Sequence, residues 1–96
     1  MIKAAEAASM LARLEAVAEQ LEIQVRYEAL VGEGEAGASH GGLCRLRDGR
    51  LILIDERLAP AERCLCLAEA LGSFDLSKIF LPPAVRAFVE ERRGGR

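Results

Sequence analysis

Three cysteines and a single histidine are the side chains of this 96-residue chain best suited to nucleophilic or metal chemistry. A small metal or thiol site could combine Cys44, Cys66 and Glu69, if a strand that carries Cys44 crosses the helix that carries the other two. Cys64 and Cys66 cannot share one ion while that helix is intact, because positions i and i+2 of a helix point about 200° apart. Burial of Cys64 in the core is the expected alternative.

A thiolate nucleophile also needs a nearby base to take its proton, and His40 with Cys44 is the pair that the sequence offers. The two residues are separated by Gly41 and Gly42, so the chain could bring them together. No third residue is evident to orient the imidazole. We therefore expect a solvated histidine and a strand cysteine, with the dyad as the alternative.

Residues 65–73 have the spacing of the helical zinc motif HExxH but not its ligands. Glu69 and Ser73 occupy the positions of the two histidines, and Ala70 occupies the position of the glutamate that serves as general base. Alanine cannot deprotonate a water molecule, so hydrolysis by this mechanism is excluded. Exposed helix residues without a chemical role are the simpler interpretation of Glu69 and Ser73.

Helical spacing divides residues 60–73 into two sides. The apolar stripe consists of Cys64, Leu67, Ala68 and Leu71. The opposite side consists of Glu62, Cys66, Glu69 and Ser73. We expect this second side to face away from the main core contact.

Residues 51–72 resemble the metal-binding region of the ImmA/IrrE peptidase family, in which an aliphatic strand ends in a polar residue and a turn leads into a helix with a LAHELGH segment. The family's α-β-β-β-α order also fits residues 5–73. The resemblance implies a degenerate zincin-like scaffold without metal or cofactor. It also implies a regulatory protein partner, since proteins of that family act on transcriptional repressors or in stress responses. Residues 75–96 are not covered by it.

The elements that must position these residues follow from periodicity. We predict helices over residues 2–21 and 60–71 and after Pro82-Pro83, and strands over residues 22–28, 43–47 and 50–55. Asp48-Gly49 favours a type I′ hairpin turn. The strand with both faces apolar, residues 51–54, should be central.

The predicted fold is therefore α+β in a single domain of residues 1–96: a three-stranded, mostly antiparallel sheet with an N-terminal helix, a zincin-like second helix and a short C-terminal helix. Five of the nine glycines lie within residues 31–42, which predicts a flexible loop without secondary structure. Residues 93–96 should form a frayed tail.

Composition excludes some classes of function. The chain has 13 basic and 15 acidic residues, which is the wrong balance for nucleic acid. It has no apolar run of about 20 residues for a membrane span. Three cysteines and no recognisable export signal favour a reducing cytoplasm.

The expected function is a non-catalytic protein-interaction or regulatory module, which binds a partner or a second copy along a sheet edge. The alternative is a metal- or thiol-dependent enzyme that uses Cys44, Cys66 and Glu69. A structural subunit with a broad exposed apolar face is a third possibility.

Overall fold

A computed structural model of the chain describes residues 3–30, 38–39 and 44–93. Its elements, in chain order, are α1 (Ala4–Gln20), β1 (Gln24–Glu28), β2 (Ala38–Ser39), β3 (Cys44–Arg47), β4 (Leu51–Asp55), α2 (Pro60–Leu71) and α3 (Pro83–Arg93). The α+β class and the three helices are confirmed. The prediction that residues 31–42 have no secondary structure is wrong at β2. The rest of that stretch and residues 94–96 lie outside the described residues.

The sheet is mixed, with strand order β1-β4-β3-β2. The two pairings of β3, with β4 and with β2, are antiparallel, whereas β1 pairs with β4 in parallel. The apolar strand β4 is central, as its sequence predicts, and the two-residue β2 adds a fourth strand beside β3. The strand β1 therefore forms one edge of the sheet.

The β3–β4 hairpin turns at the predicted dipeptide. Asp48 and Gly49 have φ angles of 56° and 69°, as a type I′ turn requires. The N–H of Arg50 closes the turn by donating to the carbonyl of Arg47 at 3.1 Å. The turn fixes the register in which Cys44 lies opposite Ile54.

The helix α1 ends in a Schellman motif that leads directly into β1. The N–H of Glu22 donates to the carbonyl of Glu19 at 3.0 Å, and the N–H of Ile23 donates to that of Ala18 at 2.9 Å. Glu22 takes the left-handed position of this motif, with φ at 62°. The tight reversal brings β1 back along the helix that precedes it.

A single core lies between the sheet and the three helices. The central helix is α2, which packs against β3 and β4 and also against α1 and α3. Its buried residues are Cys64, Cys66, Leu67, Ala68, Ala70 and Leu71. The same core cluster includes Leu14, Val17, Ala18, Cys44, Ile52, Ile54, Val85 and Val89. No helix in the described part of the chain is long and apolar enough to cross a membrane.

The connection from β4 to α2 is held by a buried carboxylate. Asp55 is 1 % exposed and accepts hydrogen bonds from the backbone N–H and the guanidinium of Arg57, the shortest at 2.6 Å. These bonds lower the pKa of Asp55 to about 2. The α2 helix then begins without a capping side chain on Ala59, whose N–H instead donates to the Glu62 carboxylate at 3.1 Å.

Candidate functional site

The structure brings two of the predicted site residues together, in the space between β3 and α2. The thiol of Cys44 lies 3.7 Å from the carbonyl oxygen of Cys66, to which it donates. Both residues are 1 % exposed. Cys64 is also buried, and its thiol donates to the carbonyl of Ala7 at 3.2 Å. All three cysteines are free thiols inside the core.

The environment of Cys44 and Cys64 favours their protonated forms, whereas the hydrogen bond with Cys44 lowers the pKa of Cys66. The hydrogen bond with Cys66 and burial raise the pKa of Cys44, and the negative charge of Glu69 adds to this shift. Burial raises the pKa of Cys64 to about 11. A nucleophile or metal ligand must be a thiolate that a substrate or ion can reach. The cysteines contribute packing in this conformation rather than reactivity.

In the degenerate zinc motif the two ligand positions are exposed, whereas the position of the general base is buried. Glu69 and Ser73 are exposed, and the hydroxyl of Ser73 donates to the carbonyl of Ala70 at 2.7 Å. Ala70 and Cys66 are buried instead. The prediction that Cys66 lies with Glu69 and Ser73 away from the core is wrong, because α2 is covered by the sheet as well as by α1 and α3.

No group of three or more histidine, cysteine or acidic side chains that could hold a metal ion occurs within residues 3–30, 38–39 and 44–93. Cys44, Cys66 and Glu69 therefore do not form such a group. His40 lies outside the described residues, so its pairing with Cys44 stays a prediction.

A different site, which the sequence did not predict, lies where α1 runs beside β1. A surface groove of about 440 Å³ separates the two elements. It is lined by Glu15, Glu19, Ile23, Gln24 and Val25. One wall is thus acidic and helical, and the other is formed by the edge strand.

Along this groove, the edge strand presents backbone groups that pair with no other strand in the described part of the chain. The N–H of Gln24 donates to the carbonyl of Arg50 at 2.8 Å, and the carbonyl of Glu28 accepts the N–H of Glu56 at 2.9 Å, so these two residues face β4. Alternate residues of a paired strand face opposite ways. Val25 and Tyr27 therefore direct their N–H and C=O groups to the open side, where no strand of the described part of the chain pairs with them.

One acidic residue of the groove is held in place by an aromatic residue of β1. The hydroxyl of Tyr27 donates to the carboxylate of Glu15. Burial and this hydrogen bond raise the pKa of Tyr27, so the hydroxyl stays a donor. The guanidinium of Arg63 lies 4.7 Å from the centre of the tyrosine ring and is itself bound to the carbonyls of Leu58 and Glu56. The Glu15 side of the groove is therefore pre-organised.

The sequence contains part of the signal for this site. The sequence of β1 alternates polar and apolar residues, whereas that of β4 is apolar on both faces. A strand tolerates alternating polar residues only where one of its faces is open to solvent. The position of β1 at an edge, and its alignment with α1, follow from the strand order, which no local pattern shows.

Compared with known proteins, the chain matches no protein-family model, no curated protein and no solved structure, and the resemblance of residues 51–72 to the ImmA/IrrE family stays a prediction.

Proposed function

We propose that this chain is a non-catalytic protein-interaction module that binds an extended segment of a partner along the open edge of β1. The observation that carries the proposal is the coincidence of two features, an edge strand with outward-facing backbone groups and a groove beside it. In strand addition, backbone hydrogen bonds supply affinity and the neighbouring surface supplies specificity. Both parts are present at β1.

The geometry of strand addition fits the groove. An added strand would lie about 4.8 Å from β1 and would bond to the N–H and C=O groups of Val25 and Tyr27. Every second side chain of that strand would point to the face of the sheet that carries the helices. These side chains would enter the space between β1 and α1, where Glu15 and Glu19 form the wall.

The edge of β1 lacks several of the devices that keep edge strands from pairing. It is five residues long and contains neither proline nor lysine. Its two charged residues, Arg26 and Glu28, form an ion pair with each other at 2.9 Å. Their side chains alternate with Val25 and Tyr27, so they lie on the face away from the helices.

A peptide-binding role requires no metal, and it is compatible with Glu69, Ala70 and Ser73 at the positions of the zinc motif. A regulatory partner, as the ImmA/IrrE resemblance implies, would be one source of such a segment. The alternative of an enzyme that uses Cys44, Cys66 and Glu69 gains no support, because both thiols are buried in the core and the pKa of Cys44 is raised.

A structural subunit with a broad apolar face also gains no support. Within the described residues, the exposed large hydrophobic side chains are Leu46 and Phe80, at 39 % and 72 %. They belong to β3 and to the connection before α3. Two such side chains do not make a docking face.

The proposal is tested by selecting peptides that bind the folded full chain from a displayed library of random sequences. Amide hydrogen exchange is then measured by NMR with and without the best binder. We expect the amides of Val25 and Tyr27 to exchange about tenfold or more slowly in the complex, since each gains a backbone partner. Protection at other amides, with these two unchanged, would contradict strand addition at β1.

A pair of variants separates the backbone from the side chain at the same position. Val25→Pro removes one outward N–H without removing a hydrogen bond to β4, because that N–H is not part of the ladder. Val25→Ala keeps the N–H and shortens the side chain. We expect the proline variant to bind the selected peptide about tenfold more weakly than the alanine variant.

A further inference from the structure

We infer that the partner segment which occupies the groove is basic, with lysine or arginine at alternate positions. This inference rests on the peptide-binding function proposed above, and it names the chemistry of the partner. It depends on the spacing of two carboxylates on α1, on the absence of a positive charge among the described residues that line the groove, and on the fixed position of one carboxylate.

The spacing of Glu15 and Glu19 matches that of an extended chain. Four residues of helix rise about 6 Å along the axis, so the two carboxylates are one turn apart on the same side of α1. Side chains on one face of a strand recur about every 6.8 Å. Two successive side chains on the helix-facing side of an added strand would therefore each lie opposite a carboxylate.

Among the described residues that line the groove, the charged ones are the acidic Glu15 and Glu19. Its other lining residues, Ile23, Gln24 and Val25, are uncharged. The nearest cation of β1, Arg26, is on the opposite face and pairs with Glu28. A basic side chain entering the groove thus meets carboxylates that no lysine or arginine of the described lining neutralises.

The groove also suits the rest of a lysine or arginine side chain. Ile23 and Val25 are the apolar residues of its lining, against which the methylene groups can pack while the charged end reaches α1. Glu15 is half-buried and already bound by the Tyr27 hydroxyl. Less side-chain entropy is lost on binding when one carboxylate is held in advance.

A second copy of this chain fits the groove poorly. Two β1 edges paired about a two-fold axis would place Glu15 and Glu19 of both copies across one shared groove. Carboxylates that share one groove repel each other. The charge pattern therefore favours a basic segment over self-association.

Two synthetic peptides test the inference on the folded full chain. Both alternate valine with a charged residue, which is lysine in one and glutamate in the other. We expect the lysine peptide to bind about tenfold or more tightly than the glutamate peptide at low salt, and the difference to shrink as salt is added. Affinities that are equal, or that favour the glutamate peptide, would overturn the inference.

A matched pair of variants locates the source of the preference. Glu19→Lys changes the groove, whereas Glu91→Lys makes the same change in net charge on the exposed surface of α3. Both positions are near a helix C-terminus, where lysine is well tolerated. The preference for the lysine peptide should be lost in Glu19→Lys and kept in Glu91→Lys. Equal losses would show that net charge alone is responsible and would overturn the inference.

A third peptide separates failure of the inference from failure of the proposed function. The lysine peptide is made in two N-methylated forms, one methylated at every odd-numbered residue and the other at every even-numbered residue. Strand addition predicts that one set abolishes binding and the other does not. If that pattern holds but the charge preference is absent, the module binds strands without selecting basic ones. If neither set matters, or no peptide binds, strand addition itself is wrong.

Discussion

The contact of α2 with β3 and the contact of α1 with β1 are built alike but differ in what they leave open. We call each of these helix–strand contacts a seam: the first is between α2 and β3, and the second is between α1 and β1. At each seam the helix and the strand bring polar or thiol side chains together. At the first seam Cys44 and Cys66 meet at 1 % exposure. At the second, Glu15 and Glu19 line an open groove.

The difference comes from strand order rather than from the helices. The helix α2 lies over the two inner strands, β3 and β4, so its seam is closed by neighbours on both sides. The helix α1 lies beside β1, which within the described residues has a neighbouring strand on one side only. Cys44 and Cys66 are therefore closed off from solvent, whereas the seam between α1 and β1 exposes backbone groups and carboxylates. Such a surface is suited to recognition rather than to catalysis.

The largest effect that tests this comparison concerns access to the thiols. Modification of Cys44, Cys64 or Cys66 by N-ethylmaleimide requires the core to open, so we expect it to be about a thousandfold or more slower in the native chain than in urea. The measurement is the mass of the chain over time after the reagent is added.

The variant Ser73→Cys is the control for the reagent, because it places a thiol on the exposed side just beyond the same helix. Its added thiol should react at nearly the rate of a free cysteine while the other three remain protected. Rapid native modification of Cys44 or Cys66 would show that the first seam is open, and it would revive the thiol-enzyme hypothesis.

The next effect compares the stability of the two seams. Leu67 of α2 is fully buried, and we expect Leu67→Ala to lower the free energy of unfolding by about 2–5 kcal/mol. Val25 of β1 is half-buried, so Val25→Ala should cost about 1 kcal/mol. Urea unfolding measures both, as a shift in midpoint at constant slope. Equal costs would mean that β1 is as firmly packed as α2.

Much of this fold could be predicted from local patterns. The helices α1, α2 and α3 and the β3–β4 hairpin follow from periodicity, from Asp48-Gly49 and from the prolines at the helix starts. Each of these signals acts within a few residues. The central position of β4 could also be predicted, because a strand with apolar residues on both faces is typical of the middle of a sheet.

What could not be predicted depends on contacts between distant parts of the chain. A helical wheel shows one stripe and predicts that Cys66 lies away from the core, although α2 is in fact covered on two sides and Cys66 is buried. The parallel pairing of β1 with β4 has no local signal. The two-residue β2 is too short for a pattern. The groove could not be predicted either, since it exists only because β1 lies at an edge of the sheet.

The smallest predicted effect lies at the junction of α1 and β1, at one end of the groove. Glu22 holds a φ angle of 62°, a left-handed conformation that glycine adopts more readily. We expect Glu22→Gly to raise the free energy of unfolding by about 0.5 to 1 kcal/mol, since relief of this strain outweighs the added freedom of the unfolded chain. Its exposed ion pair with Arg50, at 3.5 Å, contributes little.

The control is Glu22→Ala, which removes the same carboxylate and keeps a β-carbon at the strained position. Urea unfolding should show no gain for the alanine variant. If alanine stabilises the chain as much as glycine does, repulsion among the acidic residues near the groove, rather than backbone strain, is the cause. Peptide binding should be unchanged in Glu22→Gly, because the residue is not part of the groove lining. A gain in stability without a change in binding would show that the junction adjoins the binding surface but does not form part of it.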